Sequence, residues 1–228
     1  MSRVYVLVEG QTEQAFVRDV LAPALSTRGI YPHPILLGKP GHKGGIRSFA
    51  VVQRDISNLL KQDANAFVTT LFDRYGLPSD WPGLAESKLK GELPQAHSRL
   101  CQAMHTEVSE EIGPDFRAQR FLPYIQFYEI EAYLFAVPDE TARMLGNDAR
   151  AEDLRAVVQE EGGCEDINDD PISAPSKRII ALFPNYKKGK GINADLPRIC
   201  TEVGLQALRD ACPLFSRWVQ ALESLSDR

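Results

Sequence analysis

The stretch VYVLVEGQTEQAF, residues 4–16, decides the fold prediction. Residues 4–8 form a short apolar, β-branched run that is typical of a buried strand. Glu9 and Gly10 follow at once, and residues 11–27 then place apolar side chains near helical spacing. A strand that turns directly into a helix is the beginning of a βαβ unit. An ionisable side chain, Glu9, therefore stands at the predicted carboxyl end of the first strand.

The same alternation of strand and helix continues along the chain. Residues 31–37 predict a strand, and Pro32 and Pro34 place it at a sheet edge rather than at the centre. The remaining predicted elements are helix 46–61, strand 66–73, strand 121–128, and helices 149–161, 175–183 and 205–225, the last broken at Pro213. This order predicts an α/β fold with a mainly parallel central sheet flanked by helices. We expect a single domain, 1–228, with a core of about residues 1–140 and a helical C-terminal extension of about residues 141–228.

Composition narrows the class of protein. The 228 residues are 43% hydrophobic and 25% charged, which is ordinary for a soluble globular protein with a sizeable core. No apolar run approaches the roughly 18 residues of a membrane span, and the N-terminus lacks a signal-peptide pattern, so we expect a cytoplasmic protein without membrane contact. The four cysteines are far apart in sequence and show no metal-ligand spacing, which indicates reduced and mostly buried thiols.

Charge is unevenly distributed along the chain. The net charge of −5 argues against a uniformly basic nucleic-acid-binding surface but leaves room for a local basic patch. Acidic residues dominate 147–170, whereas basic residues dominate 171–200 and the segment GKPGHKGGIR, residues 38–47, which contains Lys39, His42, Lys43 and Arg47. Solvated surface segments are the alternative explanation for such runs.

Three predicted strands end in acidic residues. Glu9 follows the first strand, Asp73 ends the third, and Glu129 and Glu131 follow the fourth. Because the carboxyl ends of parallel strands meet at one edge of a sheet, these side chains could converge there. A persistent carboxylate cluster is most stable around a divalent cation, and oxygen ligands favour Mg²⁺ or Mn²⁺. For any one of these residues, a helix cap or a solvated turn is the alternative.

Each of the other acidic residues near the predicted site has two possible interpretations. Glu13, one turn into the first helix, could act as a general base or an outer metal ligand, or it could simply complement the helix dipole. Glu129 and Glu131 share a face only if the strand continues between them. In the loop after Asp73, Asp80 could be a turn cap or a ligand.

Five motifs in order resemble a prokaryotic family of unknown function with a TOPRIM-like fold, the metal-binding module named for topoisomerases and primases. The motifs are VLVEGQTE (6–13), LFDRYGLPSDWPG (71–83), FYEIEAYLF (127–135), APSKRI (174–179) and NYKKG (185–189). The resemblance covers about residues 3–190. It implies a Mg²⁺-dependent nuclease related to the overcoming-lysogenization-defect type. It also implies an ABC- or AAA-type ATPase encoded nearby and a role in defence against phage.

The resemblance also assigns roles to individual residues. Glu9 matches the TOPRIM glutamate and Asp73 the first acid of its D-x-D motif, whereas Tyr75 stands where the second aspartate is expected. Glu129 or Glu131 could replace that ligand. Metal ions held by these acids would stabilise the charge of phosphodiester hydrolysis and activate water.

Basic residues downstream complete the predicted site. Lys187 is expected to act in catalysis, and Lys177, Arg178 and Lys188 to hold substrate phosphates, with a solvated patch as the alternative. Two function classes remain: a nuclease acting on DNA or RNA, and a noncatalytic TOPRIM-like module that binds metal, nucleic acid or an ATPase. Hydrolysis of nucleotides or small phosphoesters by the same chemistry is a third possibility. Edge strands and the helix carrying Trp218 could support a homodimer.

Overall fold

A computed structural model describes residues 1–37, 48–85, 93–167, 170, 172–188 and 194–227. The predicted basic segment 38–47 lies outside these residues. Among the helices that are described, none has both the length and the apolar character needed to cross a bilayer.

The centre of the molecule is a parallel five-stranded sheet. Its strands are β1 (Ser2–Val8), β2 (Ile30–Leu36), β3 (Phe67–Asp73), β4 (Phe121–Leu122) and β5 (Ile125–Gln126). The order is β2-β1-β3-β4, and β5 pairs with the end of β3. Every pairing is parallel. The predicted α/β class with a mainly parallel sheet is therefore confirmed.

Helices flank the sheet and make up the C-terminal part of the chain. The first helical segment runs through α1 (Gln11–Phe16), a π-helical stretch (Val17–Leu21) and α2 (Ala22–Ser26). The others are α3 (Phe49–Gln62), α4 (Leu93–Ile112), α5 (Ala132–Ala136), α6 (Pro138–Met144), α7 (Ala151–Glu161), α8 (Pro175–Leu182), α9 (Asp195–Ala211) and α10 (Pro213–Glu223). Short 3-10 turns lie at Gly113–Asp115, Ala118–Arg120, Asp148–Arg150, Cys164–Asp166 and Ser224–Asp227.

The prediction of one strand over residues 121–128 is wrong in extent. Pro123 separates β4 from β5, since proline has no N–H to donate to a sheet ladder. Threonine side chains of β3 bridge the gap. The hydroxyl of Thr70 donates to the carbonyl of Tyr124 (2.7 Å) and accepts from its N–H (2.9 Å). The interrupted segment is thus still fixed to the sheet.

Helix α4 was not among the predicted elements. Its buried residues, Ala96, Leu100, Met104 and Val108, recur every four positions and form a narrow apolar stripe. The chain also begins α9 well before the predicted residue 205, and Gly204, with φ +78°, kinks the helix there. A positive φ is accessible to glycine at little cost.

Trp218 of α10 belongs to the core rather than to the surface. Its side chain is buried, stacks on Tyr124 with ring centroids 4.5 Å apart, and donates its indole N–H to Thr69 Oγ1 (2.8 Å). A buried ring offers no contact surface to a second copy of the chain, so Trp218 gives no support to a homodimer. The homodimer itself stays a prediction.

Strand β2 is the edge that its prolines predicted. The N–H of Leu37 donates to Val8 of β1, so odd-numbered residues of β2 face β1 and even-numbered residues face outward. Pro32 and Pro34 therefore occupy outward positions, where a missing N–H breaks no bond of the sheet.

Candidate functional site

The strand-end acids lie at one edge of the sheet. Glu9 follows β1, Asp73 ends β3, and Glu129 and Glu131 follow β5, which pairs with β3 through Asp73 and Gln126. We call Glu9, Glu13, Asp73, Glu129 and Glu131 the carboxylate cluster. Parallel pairing brings its members together from three parts of the chain.

The charges of the other four cluster members all act on Asp73. Burial raises the pKa of Asp73 well above its ordinary value, and the negative charges of the other four members raise it further. One carboxylate oxygen, Oδ1, accepts a hydrogen bond from the backbone N–H of Ile130 (2.8 Å). That bond fixes the chain just between Glu129 and Glu131.

Glu13 folds back over the turn that precedes α1. Burial raises the pKa of Glu13 to about 7, and the nearby charge of Glu9 adds to that rise. The backbone N–H groups of Gly10 and of Glu13 itself hydrogen-bond to the carboxylate, which opposes the shift. A Cβ at position 10 would lie 2.8 Å from Glu13 Oε2. Gly10 therefore leaves the space that this carboxylate occupies.

Glu129 is held by the start of α8. Ser176 donates its backbone N–H to Oε2 (2.7 Å) and its hydroxyl to Oε1 (3.0 Å). A carboxylate at a helix N-terminus satisfies N–H groups that have no partner within the helix. The sequence assigned no role to Ser176, although Pro175 marked a helix start that needs such an acceptor.

Glu131 shares a lysine with Glu129. The ammonium of Lys188 lies 3.1 Å from Glu131 Oε1 and 3.5 Å from Glu129 Oε1. Burial raises the pKa of Glu131 to about 7, although Lys188 pulls it down. Burial works against the charged form of Lys188, yet the two glutamates together raise its pKa above the ordinary value. The Tyr186 hydroxyl donates to the same Oε1 (3.4 Å), so this buried ring lies beneath the cluster.

The cluster fits a divalent cation in its donor chemistry. All its donors are carboxylate oxygens, which suit Mg²⁺ or Mn²⁺. Glu131 Oε2 is buried and has no hydrogen-bond partner in the described part of the chain. Within those residues, however, no group of three or more His, Cys, Asp or Glu side chains is arranged to hold a metal ion. In this structure Asp73, Glu129 and Glu131 instead contact Ile130, Ser176 and Lys188, respectively.

The predicted phosphate-binding cations lie in different settings. Lys177 and Lys187 are exposed, and the backbone N–H of Lys187 donates to Asp195 Oδ2 (2.7 Å). Arg178 pairs with Glu161 and donates Nε to the Ser173 carbonyl (2.7 Å). Lys188 is thus the predicted cation whose side chain contacts the carboxylate cluster.

The loop after Asp73 is held by packing and by one helix cap. Trp81 is buried edge-on against Phe49 and Phe72. Asp80 Oδ2 accepts the N–H of Phe49 at the start of α3 (2.9 Å), which is a capping contact. Tyr75, in place of the second aspartate, is half-buried and donates its backbone N–H to Tyr128 (2.9 Å).

A family model described as "Domain of unknown function (DUF4276)" matches residues 8–223. The chain belongs to this family. No curated protein matches the sequence. The match of this DUF4276 protein spans the whole carboxylate cluster and both C-terminal helices.

Solved structures similar to this DUF4276 protein are C-terminal regions of OLD proteins. The one from Xanthomonas campestris pv. campestris has 17% identity and a TM-score of 0.44, with 100% of this chain and 97% of that chain covered. The one from Burkholderia pseudomallei has 14% identity and a TM-score of 0.45, with 99% of each chain covered. Values this low establish no shared activity.

Proposed function

We propose that this protein is a Mg²⁺- or Mn²⁺-dependent nuclease that hydrolyses phosphodiester bonds of DNA or RNA at the carboxylate cluster. The observation that carries the proposal is the convergence of five acids at the carboxyl edge of a parallel sheet. Three of them, Glu13, Asp73 and Glu131, have raised pKa values because burial and neighbouring charges oppose their ionisation. A bound divalent cation would relieve that repulsion.

Glu9, Asp73 and Glu131 are the residues that would hold the metal. Glu129 is a weaker candidate because Ser176 donates hydrogen bonds to both of its oxygens. When bound, the ion supplies positive charge to the phosphoryl oxygens and activates water. Among the described residues, Glu131 Oε2 is a buried oxygen without a hydrogen-bond partner, so it is available as a ligand for the metal.

The chain's own groups supply proton transfer and phosphate binding. We assign the role of proton acceptor to Glu13, whose buried carboxyl group lies near Glu9. The side chain of Lys188 is 47% exposed, so its ammonium group can contact a substrate phosphate while it remains paired with the cluster. Exposed Lys177 and Lys187 would bind neighbouring phosphates.

Cleavage assays with purified protein test this proposal. We expect plasmid, single-stranded DNA or RNA to be cut only when Mg²⁺ or Mn²⁺ is present. Glu9→Gln should reduce the rate about 100-fold or more while circular dichroism and nucleic-acid binding stay unchanged. Glu160→Gln, at an exposed position of α7, is the matched control and should cleave like the wild type. Metal-independent cleavage, or full activity of Glu9→Gln, would refute the proposal.

A noncatalytic module is the second candidate, and two observations favour it. Lys188 already forms ion pairs with Glu129 and Glu131, and Tyr75 stands where a metal ligand is expected. Such a module would bind nucleic acid or a partner without cleaving any of the three substrates. It would also tolerate Glu9→Gln in every functional assay.

We further propose an ABC- or AAA-type ATPase as partner and a role in defence against phage, with cytoplasmic residence. The support is the resemblance of the five sequence motifs. Co-purification of the tagged protein with an ATPase encoded beside its gene, and phage plaque counts with and without Glu9→Gln, test both points. Equal plaque counts would contradict the defence role.

A further inference from the structure

Two cysteines that are distant in sequence meet in the C-terminal helical part. Cys164 lies in the 3-10 turn after α7, and Cys212 lies between α9 and α10, 48 residues further along the chain. Their sulfur atoms are 3.0 Å apart. Cys164 also lies 3.1 Å from the carbonyl oxygen of Ala211. Both residues are free thiols.

We propose that Cys164 and Cys212 form a redox modification site, at which a peroxide converts the two thiols into an intramolecular disulfide. The sulfurs have to approach by only about 1 Å to reach the bond length of about 2.05 Å. Cys164 lies in a short 3-10 turn, and Cys212 lies at the junction of α9 and α10, so neither residue is in the interior of an α-helix.

The oxidant can reach the pair from two sides. One cleft of about 280 Å³ and another of about 390 Å³ are both lined by Cys164, together with Gly163 and Ala211. Cys212 is fully buried and lines neither of these two clefts. Cys164 is therefore the thiol that meets the peroxide, and Cys212 is the thiol that completes the disulfide.

The chemistry balances with peroxide as the two-electron oxidant. The Cys164 sulfur attacks one peroxide oxygen, the O–O bond breaks, and a sulfenic acid and one water form. The Cys212 thiol then attacks the sulfenic sulfur and expels the second water as the S–S bond forms. The hydrogen bond with Cys164 and burial both raise the pKa of Cys212, so this step is expected to be slow.

The disulfide would close the segment that supplies partners to the carboxylate cluster. Ser176, Tyr186 and Lys188 all lie between the two cysteines in sequence. A bond between Cys164 and Cys212, 48 residues apart, would close a long loop and so lower the conformational entropy of the unfolded chain. Oxidation should therefore raise the melting temperature by an amount on the order of 10 °C.

Thiol counting and peptide mapping of the full chain test the proposal. Reduced protein is treated with hydrogen peroxide and then unfolded in the presence of N-ethylmaleimide, which alkylates free thiols. The mass of the intact chain is then measured by mass spectrometry. We expect two alkylated thiols instead of the four free cysteines, and a dithiothreitol-sensitive peptide that links Cys164 to Cys212. Four alkylated thiols, a different pairing, or added oxygen without a cross-link would each overturn it.

Variants separate this pair from the other thiols. Cys164→Ser and Cys212→Ala should lose both the cross-link and the rise in melting temperature, whereas Cys200→Ser, the matched buried control, should keep both. A rise that persists in Cys164→Ser would also overturn the proposal. Because the peptide map uses wild-type protein, the result stands even where a variant fails to fold.

Discussion

Glu13 contributes to the pH dependence of the stability of this protein, and Glu13→Gln should remove that contribution. The carboxyl group is buried next to Glu9, and its pKa in the folded chain is about 7 instead of 4.5. The folded chain therefore binds this proton more tightly than the unfolded chain does. Stability from Glu13 is complete below pH 4.5, falls as pH rises toward 7, and is lost above it.

The size of the effect follows from that difference. One pKa unit corresponds to about 1.4 kcal/mol, so Glu13 alone lowers the free energy of unfolding by about 3 kcal/mol between pH 4.5 and pH 8. Glutamine resembles the protonated carboxyl group and cannot ionise. Replacing Glu13 also removes a negative charge that raises the pKa values of Asp73 and Glu131. The variant should thus be about 3 kcal/mol more stable than the wild type at pH 8 and close to it at pH 4.5.

Urea unfolding at several pH values between 4.5 and 8, in EDTA, measures this difference. Glu160→Gln, on an exposed surface, should follow the wild-type curve. If the free energy of unfolding depended equally on pH in Glu13→Gln and in the wild type, the conclusion that burial and neighbouring carboxylates destabilise ionised Glu13 would be refuted. Added Mg²⁺ should flatten the wild-type slope, because a bound cation favours the ionised carboxylates.

Three further changes test other contacts. Ser176→Ala removes the hydroxyl donor to Glu129 and should lower the free energy of unfolding by about 1–2 kcal/mol in urea titrations; an unchanged midpoint would speak against the cap. Trp218→Phe loses the indole hydrogen bond and part of the ring stack, and should cost about 2 kcal/mol in thermal unfolding; wild-type stability would contradict the buried position. Lys188→Met should tighten Mn²⁺ binding about fivefold in calorimetry, about 1 kcal/mol for a half-exposed ion pair, whereas Lys177→Met should not. Weaker binding by Lys188→Met would mean that this lysine does not compete with the metal.

The strands and most helices were predictable because their local signals are strong. The β-branched runs of β1 and β3, and Pro175 at the start of α8, leave little choice of structure. Helix α4 was not predicted because its apolar stripe contains only about one buried residue in each turn. Its helical state depends on contacts with α3 and β5, which sequence spacing does not reveal.

The site was predictable in place but not in detail. Glu9, Asp73, Glu129 and Glu131 could be located at a sheet edge because parallel strands align their carboxyl ends. Nothing local indicated that Lys188, 57 residues after Glu131, would contact it, since long-range pairing depends on how α8 and the following segment pack. The meeting of Cys164 with Cys212 was hidden for the same reason.

The two outward prolines of β2 decide how another polypeptide can attach to this protein. At positions 32 and 34 the rim of the sheet offers carbonyl acceptors but no amide donors. A foreign strand laid along it would form only part of a hydrogen-bonded ladder, so intermolecular sheet growth is suppressed from this side. A partner that binds here has to recognise side chains such as exposed His33 and Leu36 rather than the backbone.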